Sequence, residues 1–551
     1  MTYDLVIAGS GAAGMTAAIT AARAGLKVLI VEKARWNGGT TAYSGGGLWI
    51  PNNHHQQAAG LADSVEQAET YLKNVLGNYF DPDKIAVFLS QAPEMLRFIE
   101  ANSDVRTVTT AGIDYEPWRD GAAMGRSVIV PAYDNKRLGK ERGRLRPQLA
   151  ALTEFGGMQI GIEDIAHFVS VRKSLRSFLY SGGKLARHLF DRLFHGGTSR
   201  SVNGNALAAE LLKGVLDSGV TVWNEAPLIS LIRSDGRVTG VVVRHEGQHK
   251  EIEARRGVIL ATGGYGANRQ MRLENIPMAD KGWSLQPAEN QGDGINLGVD
   301  AGGTLVRDNQ SNAIWIPLSR MRRPDGGETI YPHMYERHKP GFIIVDAHGC
   351  RFCNDGVSYQ ALGNAMHEAG VDRAFIVGDR KAVREYGLGL AKPSPLPLSP
   401  FVGPHYIRKA RTLEALGDQL GIDGSGLART VAAYNLHADQ GLDPEFHRGE
   451  DVYSAAMGDP AHRPNPAVGP LRTAPFYGLE IRCGELSSIN GLETDTTARV
   501  IGPDGAPIDG LYAVGIDANS LFRGTYPGAG ASLGPGMTFG YVAARHAAGL
   551  H

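Results

Sequence analysis

The sequence predicts an α/β protein of two units: a parallel sheet assembled from both ends of the chain, and an α+β unit inserted between them. Three observations carry this. A glycine-rich turn, Gly9-Ser10-Gly11-Ala-Ala13-Gly14, separates an apolar run from an Ala-rich stretch. An acid, Glu32, closes the next apolar run. Strand-like segments ending in glycine recur mid-chain and near the C-terminus, Gly257–Ala261 before Thr262-Gly263-Gly264 and Leu511–Val514 before Gly515.

Tyr3–Ala8 is apolar without alternation, as a parallel strand buried on both faces requires. Met15–Ala24 favours a helix, Gly25 ends it, and Lys27–Val31 reads as the second strand. Strand, glycine turn, helix and acid in this order make a Rossmann-type dinucleotide-binding unit. Gly9 permits the tight turn, Gly11 lets backbone approach a pyrophosphate, and Gly14 lets helix and sheet pack. The helix N-terminus offers free N–H groups to phosphate, and Glu32 can accept from ribose hydroxyls.

Further on, Ile229–Arg233 and Val238–Arg244, split by Ser234-Asp-Gly236, predict a β-meander. From Pro277 to Val468 the chain is Pro- and Gly-punctuated. The expected organisation is a nucleotide-binding domain over 1–276, an inserted capping domain over 277–468, and the return of the first domain over 469–551. A helical excursion is expected at about 135–200. Within it Leu185, Leu189 and Leu193 fall at helical spacing among Lys184, Arg187 and Arg192. This fits either a membrane-surface helix or an excursion packed on its own protein, and the second is expected.

Composition narrows the class. Of 551 residues, 42% are hydrophobic and 21% charged, typical of a globular protein, and 72 glycines imply many tight turns. A net charge of −1 gives no reason to expect a nucleic-acid partner. Three cysteines, Cys350, Cys353 and Cys483, are too few for a disulfide framework, so Cys350-Arg-Phe-Cys353 reads as two small core residues. No signal peptide or membrane span is evident, and a cytoplasmic protein is expected. No metal is expected, the His54-His55 pair reading as solvated. Neither a serine-hydrolase elbow nor a zinc-protease helix is expected.

The remaining motifs add a resemblance. Glu32-Lys33 is followed by Gly38-Gly39-Thr40-Thr41 and Ser44-Gly45-Gly46-Gly47; Ala261-Thr262-Gly263-Gly264 follows mid-chain; Asn490 to Asp495, Gly510 to Gly515 and Ala531-Ser532-Leu533-Gly-Pro-Gly536 come last. In that order they resemble the succinate dehydrogenase/fumarate reductase flavoprotein superfamily. The resemblance implies a glutathione-reductase-like, Rossmann-type FAD-binding domain with an inserted α+β substrate domain capping the flavin, and FAD as cofactor. Tyr526-Pro-Gly-Ala-Gly530, Asp114-Tyr115-Glu-Pro117 and Arg351-Phe-Cys-Asn-Asp355 to Tyr359 are similar to segments of the 3-ketosteroid Δ1-dehydrogenases, with Asp355 in place of the usual Glu.

That family implies α,β-desaturation of a cyclic ketone, with a 3-ketosteroid as the expected substrate. The Tyr526 hydroxyl and Gly530 N–H would hold the carbonyl oxygen, Tyr359 would take the α proton with help from Tyr115, and hydride would pass to flavin N5. Tyr331 and Tyr335 stand in reserve as bases. The partners implied are a small hydrophobic ketone and an unidentified electron acceptor. Alternatives are a smaller cyclic ketone, the steroid Δ4 bond, or a fumarate-reductase-type ene-reductase. The last would need more cations than Arg523 near Tyr526. A flavin-binding protein without turnover is a further rival.

Overall fold

The computed structural model describes residues 1–110, 112–161, 164, 167–168, 171, 174–195 and 197–550. The N-terminal unit forms as expected: β1 (Thr2–Ala8), α1 (Ala12–Arg23) and β2 (Val28–Val31). β1 and β2 pair in parallel, Leu5 opposite Val28 through to Ala8 opposite Val31. Both strands turn apolar side chains to each face, and Leu5 to Ala8 are almost fully buried.

Two helices follow, α2 (Val65–Leu76) and α3 (Pro82–Asn102). α3 starts at Asp81, whose carboxylate accepts from the Lys84 N–H at 3.1 Å, with Pro82 as first helical residue. It buries Ile85, Phe88, Leu89, Ala92, Met95, Leu96 and Ile99, a stripe of helical period. Phe88 stacks on Trp49, ring centroids 6.1 Å apart, and that pair anchors the core beneath the N-terminal sheet.

The excursion is a helix, α4 (Leu175–His195), but its orientation differs from a packed amphipathic helix. It docks through Ser177, Ser181, His188 and Asp191, while Leu189 and Leu193 face solvent and Leu185 is half-buried. α5 (Asn203–Asp217) then returns to the core.

β3 (Thr221–Trp223) joins β2 in parallel, and β4 (Leu228–Ser234), β5 (Arg237–His245) and β6 (Gln248–Leu260) form the meander. β6 is longer than the sequence suggested. Its first half is a hairpin arm against β5, and its second half is the parallel strand beside β1. The change of role falls at Gly257, with φ +121° and no room for a Cβ, which would lie 2.3 Å from the Gly510 carbonyl.

The inserted unit is a six-stranded antiparallel sheet. β7 (Ala313–Arg322), β8 (Glu328–Pro332) and β9 (Phe342–Val345) precede α6 (Tyr359–Glu368), β10 (Ala374–Gly378) and β11 (Arg408–Ala410). The strand at its centre is β12 (Phe476–Ser488), in the order β8-β7-β12-β10-β9, with β11 also on β12. The boundary expected at 468 therefore moves to after Ser488. Without β12 the two halves of this sheet would have no shared partner, since β7 and β10 both hydrogen-bond to it. The chain then re-enters the first sheet through β13 (Arg499–Ile501) and β14 (Pro507–Ala513), where β14 lies parallel to β6, and ends in α7 (Leu533–Ala547).

Two smaller readings change. Cys350 is exposed and Cys353 only half-buried, so they are not core residues, though burial pushes the Cys353 thiol up to about 12. His54 and His55 open a short helix, His54–Ala58, and both reach Glu100, at 2.9 and 2.8 Å. They are paired rather than solvated. No helix among the described residues is long and apolar enough to cross a membrane.

Candidate active site

The carboxyl ends of β1, β2 and β6 converge beside the N-terminus of α1, where α/β sheets bind ligands. Gly9 has φ +112°, and a Cβ there would sit 2.1 Å from the Ala261 carbonyl oxygen. A Cβ on Gly14 would sit 2.3 Å from the Gly9 carbonyl oxygen. Those two glycines are dictated by packing. Gly11 differs, because its Cβ would meet only Thr41 Oγ1 at 3.9 Å. The open space above it, at the positive end of α1, suits a diphosphate.

Glu32 closes the other side of the cradle. Its Oε2 accepts from Ser10 N at 2.9 Å and Ser10 Oγ at 2.6 Å, and Oε1 accepts from Ala34 N at 2.8 Å. Oε1 retains a lone pair for another donor, such as a ribose hydroxyl. Lys33 is held by Asp293 at 2.8 Å. Thr41 Oγ1 accepts from Ala12 N at 3.0 Å, which fixes the Gly39–Tyr43 turn over the helix end.

One continuous cavity of about 350 Å³ leads from this cradle to a cluster of tyrosines. Every residue selected from sequence as cofactor-binding or catalytic lines it except Gly14, whose place is between helix and sheet. Tyr115, Tyr359 and Tyr526 form a triangle with ring centroids 5.6, 5.5 and 5.8 Å apart, and the Tyr115 and Tyr359 hydroxyls are 3.4 Å apart.

Each vertex has its own support. The Tyr115 N–H donates to the Pro527 carbonyl at 2.9 Å, tying it to the loop that carries Tyr526. Tyr359 is the first residue of α6, capped by Ser358, whose Oγ accepts from Ala361 N. The next residue, Gln360, donates from Nε2 to the Gly524 carbonyl at 2.9 Å, holding the same loop from the other side. Gly530 has φ +95°, and a Cβ would lie 2.4 Å from Gly47. Its glycine is thus required by the neighbouring backbone as well as by any approaching ligand.

Enclosure dominates the electrostatics. Burial pushes the Tyr359 hydroxyl well above its usual value, with Tyr115 and Tyr526 adding to the effect. Burial likewise raises Tyr115, followed by Tyr453 and Tyr526. Tyr526 is raised by burial but pulled back by hydrogen bonds from Tyr359, Ser532 and the backbone N–H groups of Gly530 and Ser532. The Gly530 N–H therefore lies beside the Tyr526 hydroxyl, and two neighbouring donors at the cavity wall can hold a carbonyl oxygen.

Several wall residues escaped the sequence reading. Leu149, Leu285, Met334 and Leu486 pack in one apolar cluster with Tyr359, Leu152 adds to the cavity wall, and none of them carries a motif. Asn290 donates to Thr40 Oγ1 at 3.0 Å and to the Gly263 carbonyl at 2.7 Å. Tyr453 packs on Tyr115 at 5.1 Å. Asp517, fully buried, accepts from Thr262 N and Gly264 N. An acid two residues after the Gly515 strand end was the visible signal for it. Tyr335 lines the rim of the cavity, whereas Tyr331 is absent from the described lining and packs on His333. Arg523 lies 3.6 Å from Glu493, a structural ion pair.

Two hydrolase-like spellings do occur. Gly530-Ala-Ser532-Leu-Gly534 matches the serine elbow, but no histidine is among the described cavity-lining residues to act as its base. His245-Glu-Gly-Gln-His249 matches the zinc-protease pattern. It straddles the β5–β6 hairpin, with His245 stacked on Trp223, so its histidines do not share a helix face.

Comparison with known proteins settles the family. The family described as "FAD binding domain" matches residues 4–533. The chain is 40% identical to a 4-oxocyclohex-2-ene-1-carboxylate 5-dehydrogenase of Sinomonas cyclohexanicum, covering 99% of this chain and 94% of that one. It is 34% identical to a 3-oxosteroid 1-dehydrogenase of Mycobacterium tuberculosis, covering 99% and 98%. The solved 3-ketosteroid Δ1-dehydrogenase of Sterolibacterium denitrificans superposes with a TM-score of 0.91 at 35% identity over 100% of this chain and 99% of that one. The chain belongs to the 3-ketosteroid Δ1-dehydrogenase family. It is an FAD-dependent oxidoreductase acting on CH–CH groups, and FAD is its cofactor. The open space over Gly11 and the glycine- and threonine-rich wall at Gly39–Gly46 fit that cofactor.

Proposed function

We propose that this chain dehydrogenates a 3-ketosteroid at its Δ1 bond. The observation that carries the reading is the tyrosine triangle set in an apolar wall. Tyr526 and the Gly530 N–H would hold the ketone oxygen and stabilise the enolate that forms as the α proton leaves, an effect worth roughly 3–4 kcal/mol per donor. Tyr359 would take that proton. Its place at the N-terminus of α6 favours the phenolate, and Tyr115, within 3.4 Å, would share the proton and relay it onward. Bound FAD supplies the oxidant for the β carbon, and an external acceptor must then reoxidise it. Ser10, Glu32, Lys33, Thr40, Thr41, Ser44, Thr262 and Ser532 would hold FAD, with glycines lining the diphosphate.

A second reading keeps the chemistry and changes the ketone. Relatives at 40% and 34% identity are named for 4-oxocyclohexene- and 4-oxocyclohexanecarboxylate, which are small and anionic. Against it, only Lys33 and Arg146 are cationic among the described lining residues, and each already faces an acid, Asp293 at 2.8 Å and Glu289 at 2.9 Å. A carboxylate would have to displace one of these partners, whereas the apolar wall suits a steroid as it stands.

Anaerobic titration of the yellow protein tests both. Rapid bleaching of the flavin band by a 3-ketosteroid, lost in Tyr526→Phe with flavin retained, is the expected result. Bleaching by 4-oxocyclohexanecarboxylate alone would move the substrate, and no bleaching by any saturated ketone would reject the desaturase.

A further inference from the structure

The helix α4 turns its polar side inward. Ser177, Ser181, His188 and Asp191 are buried, with His188 Nε2 3.1 Å from the Phe155 carbonyl, Asp191 accepting from Ser199 N, and Lys184 3.3 Å from Asp164. Leu175, Phe178 and Leu179 in its first turns face outward, Leu175 with 76% of its surface exposed. So do Leu189, Phe190, Leu193 and Phe194 in its last turns, Leu193 with 79% exposed. At about 100° per residue these seven occupy a sector of roughly 160°. Gly182, Gly183 and Ala186 lie along its middle. Phe155, also exposed, stands beside the last turn. A contiguous apolar face of this kind gains nothing from water and marks a surface that something covers.

Charge identifies the cover. Residues 135–194 carry twelve Lys and Arg against five Asp and Glu, a net of +7 in a chain whose total is −1. Arg176, Arg187 and Arg192 border the apolar sector and are exposed. Lys136, Arg137, Lys140 and Arg144 are exposed on the adjoining segment, which meets α4 where Lys136 lies 3.5 Å from Asp191 and Arg187 lies 3.8 Å from Asp134. A second copy of the chain related by a two-fold axis would bring two such basic rims together, and they would repel. An anionic lipid surface satisfies both features, because the acyl boundary accepts Leu and Phe while headgroup phosphates accept Lys and Arg.

We infer that α4 is a peripheral membrane anchor that lies in the plane of an anionic bilayer. The same excursion supplies Leu149 and Leu152 to the cavity wall, so docking sets that flank of the cavity against the lipid phase where an apolar ketone concentrates. The anchor needs no turnover and stands independently of the assignment of substrate.

Co-sedimentation of the holoenzyme with vesicles tests it, comparing phosphatidylcholine alone with phosphatidylcholine containing about one-third phosphatidylglycerol. Binding to the anionic vesicles should exceed binding to the neutral ones by about tenfold and weaken as salt is raised. The double variant Leu189→Glu, Leu193→Glu should lose it. Both side chains already face solvent, so its flavin absorbance and anaerobic bleaching should match those of the wild type. No sedimentation with anionic vesicles, or equal sedimentation of the variant, overturns the anchor. A dimer in light scattering that dissociates in the variant, without vesicle binding, assigns the face to a second copy and overturns it as well.

Discussion

Tyr359 is the residue on which the proposed chemistry turns, and its surroundings pull in opposite directions. Burial, with Tyr115 and Tyr526 beside it, keeps its hydroxyl protonated at neutral pH, while the N-terminus of α6 favours releasing the proton. With the pKa held above its usual value, the competent phenolate becomes more abundant as pH rises. The rate of anaerobic flavin reduction should therefore climb through the alkaline range rather than peak near neutrality. Tyr115→Phe should lower that rate by about tenfold to a hundredfold, the scale of a lost proton-transfer partner, and leave flavin binding unchanged. Stopped-flow reduction from pH 6 to 10 reads both; a flat profile would remove Tyr359 as the base. Sequence reached these tyrosines through their motifs, and the structure brings them within ring contact. It did not reach Tyr453, because a tyrosine without a motif among 19 looks like any buried ring.

The element that delivers Tyr359 is the turn from Gly349 to Ser358, and two fully buried arginines brace it. Arg337 donates to the Asp355 and Val357 carbonyls at 2.6 and 2.7 Å. Arg448 donates to the Asp355 carboxylate at 3.0 Å and to the carbonyls of Phe342, Arg337 and Lys339. Asp355 also accepts from Ile344 N at 2.8 Å, so the shorter acid standing where the family has Glu is fully engaged. Arg448→Ala would strand this carboxylate and several carbonyls, costing about 3–5 kcal/mol in a urea melt. An unchanged midpoint would show that Arg351, 3.5 Å from Asp355, suffices alone. These arginines were invisible in the sequence, since nothing in spacing pairs residue 448 with residue 355. On α5, Glu210 offers a pH test of burial. Burial raises its carboxyl from 4.5 to about 9. The folded state then holds a proton that the unfolded state releases, so the contribution is intact below the unfolded value and lost as pH rises toward the folded one. The loss can reach about 1.4 kcal/mol per pH unit. Glu210→Gln should abolish that slope and leave the variant more stable than wild type at pH 8 but not at pH 4. Parallel slopes in the two proteins would show that Glu210 does not titrate as its burial implies.

At the scale of the whole molecule, the nucleotide-binding unit is a circle closed late. β1, β2 and β6 come from the first half of the chain, and β14 and α7 arrive only after the inserted sheet is complete. The ends of the circle were legible because glycine turns and short apolar runs are local signals. The boundary at 468 was misplaced because β12 serves two sets of partners, β7 on one side and β10 on the other, and pairing across more than a hundred residues leaves no local trace. The joint is Asp517, whose buried carboxylate accepts from Thr262 and Gly264 and so fastens the C-terminal segment to the end of β6 directly under the cofactor cradle. Asp517→Ala orphans two buried N–H groups at about 1–3 kcal/mol each, so apo-protein stability should fall by roughly 2–4 kcal/mol. The cradle should loosen with it. Flavin retained through gel filtration and the urea midpoint of the apo-protein should therefore drop together, with Asp517→Asn losing less of both because its amide oxygen still accepts. If the alanine variant kept its flavin while losing stability, the clamp would serve the fold alone. If it lost flavin at unchanged stability, Asp517 would act on the cofactor directly rather than by joining the two ends of the chain.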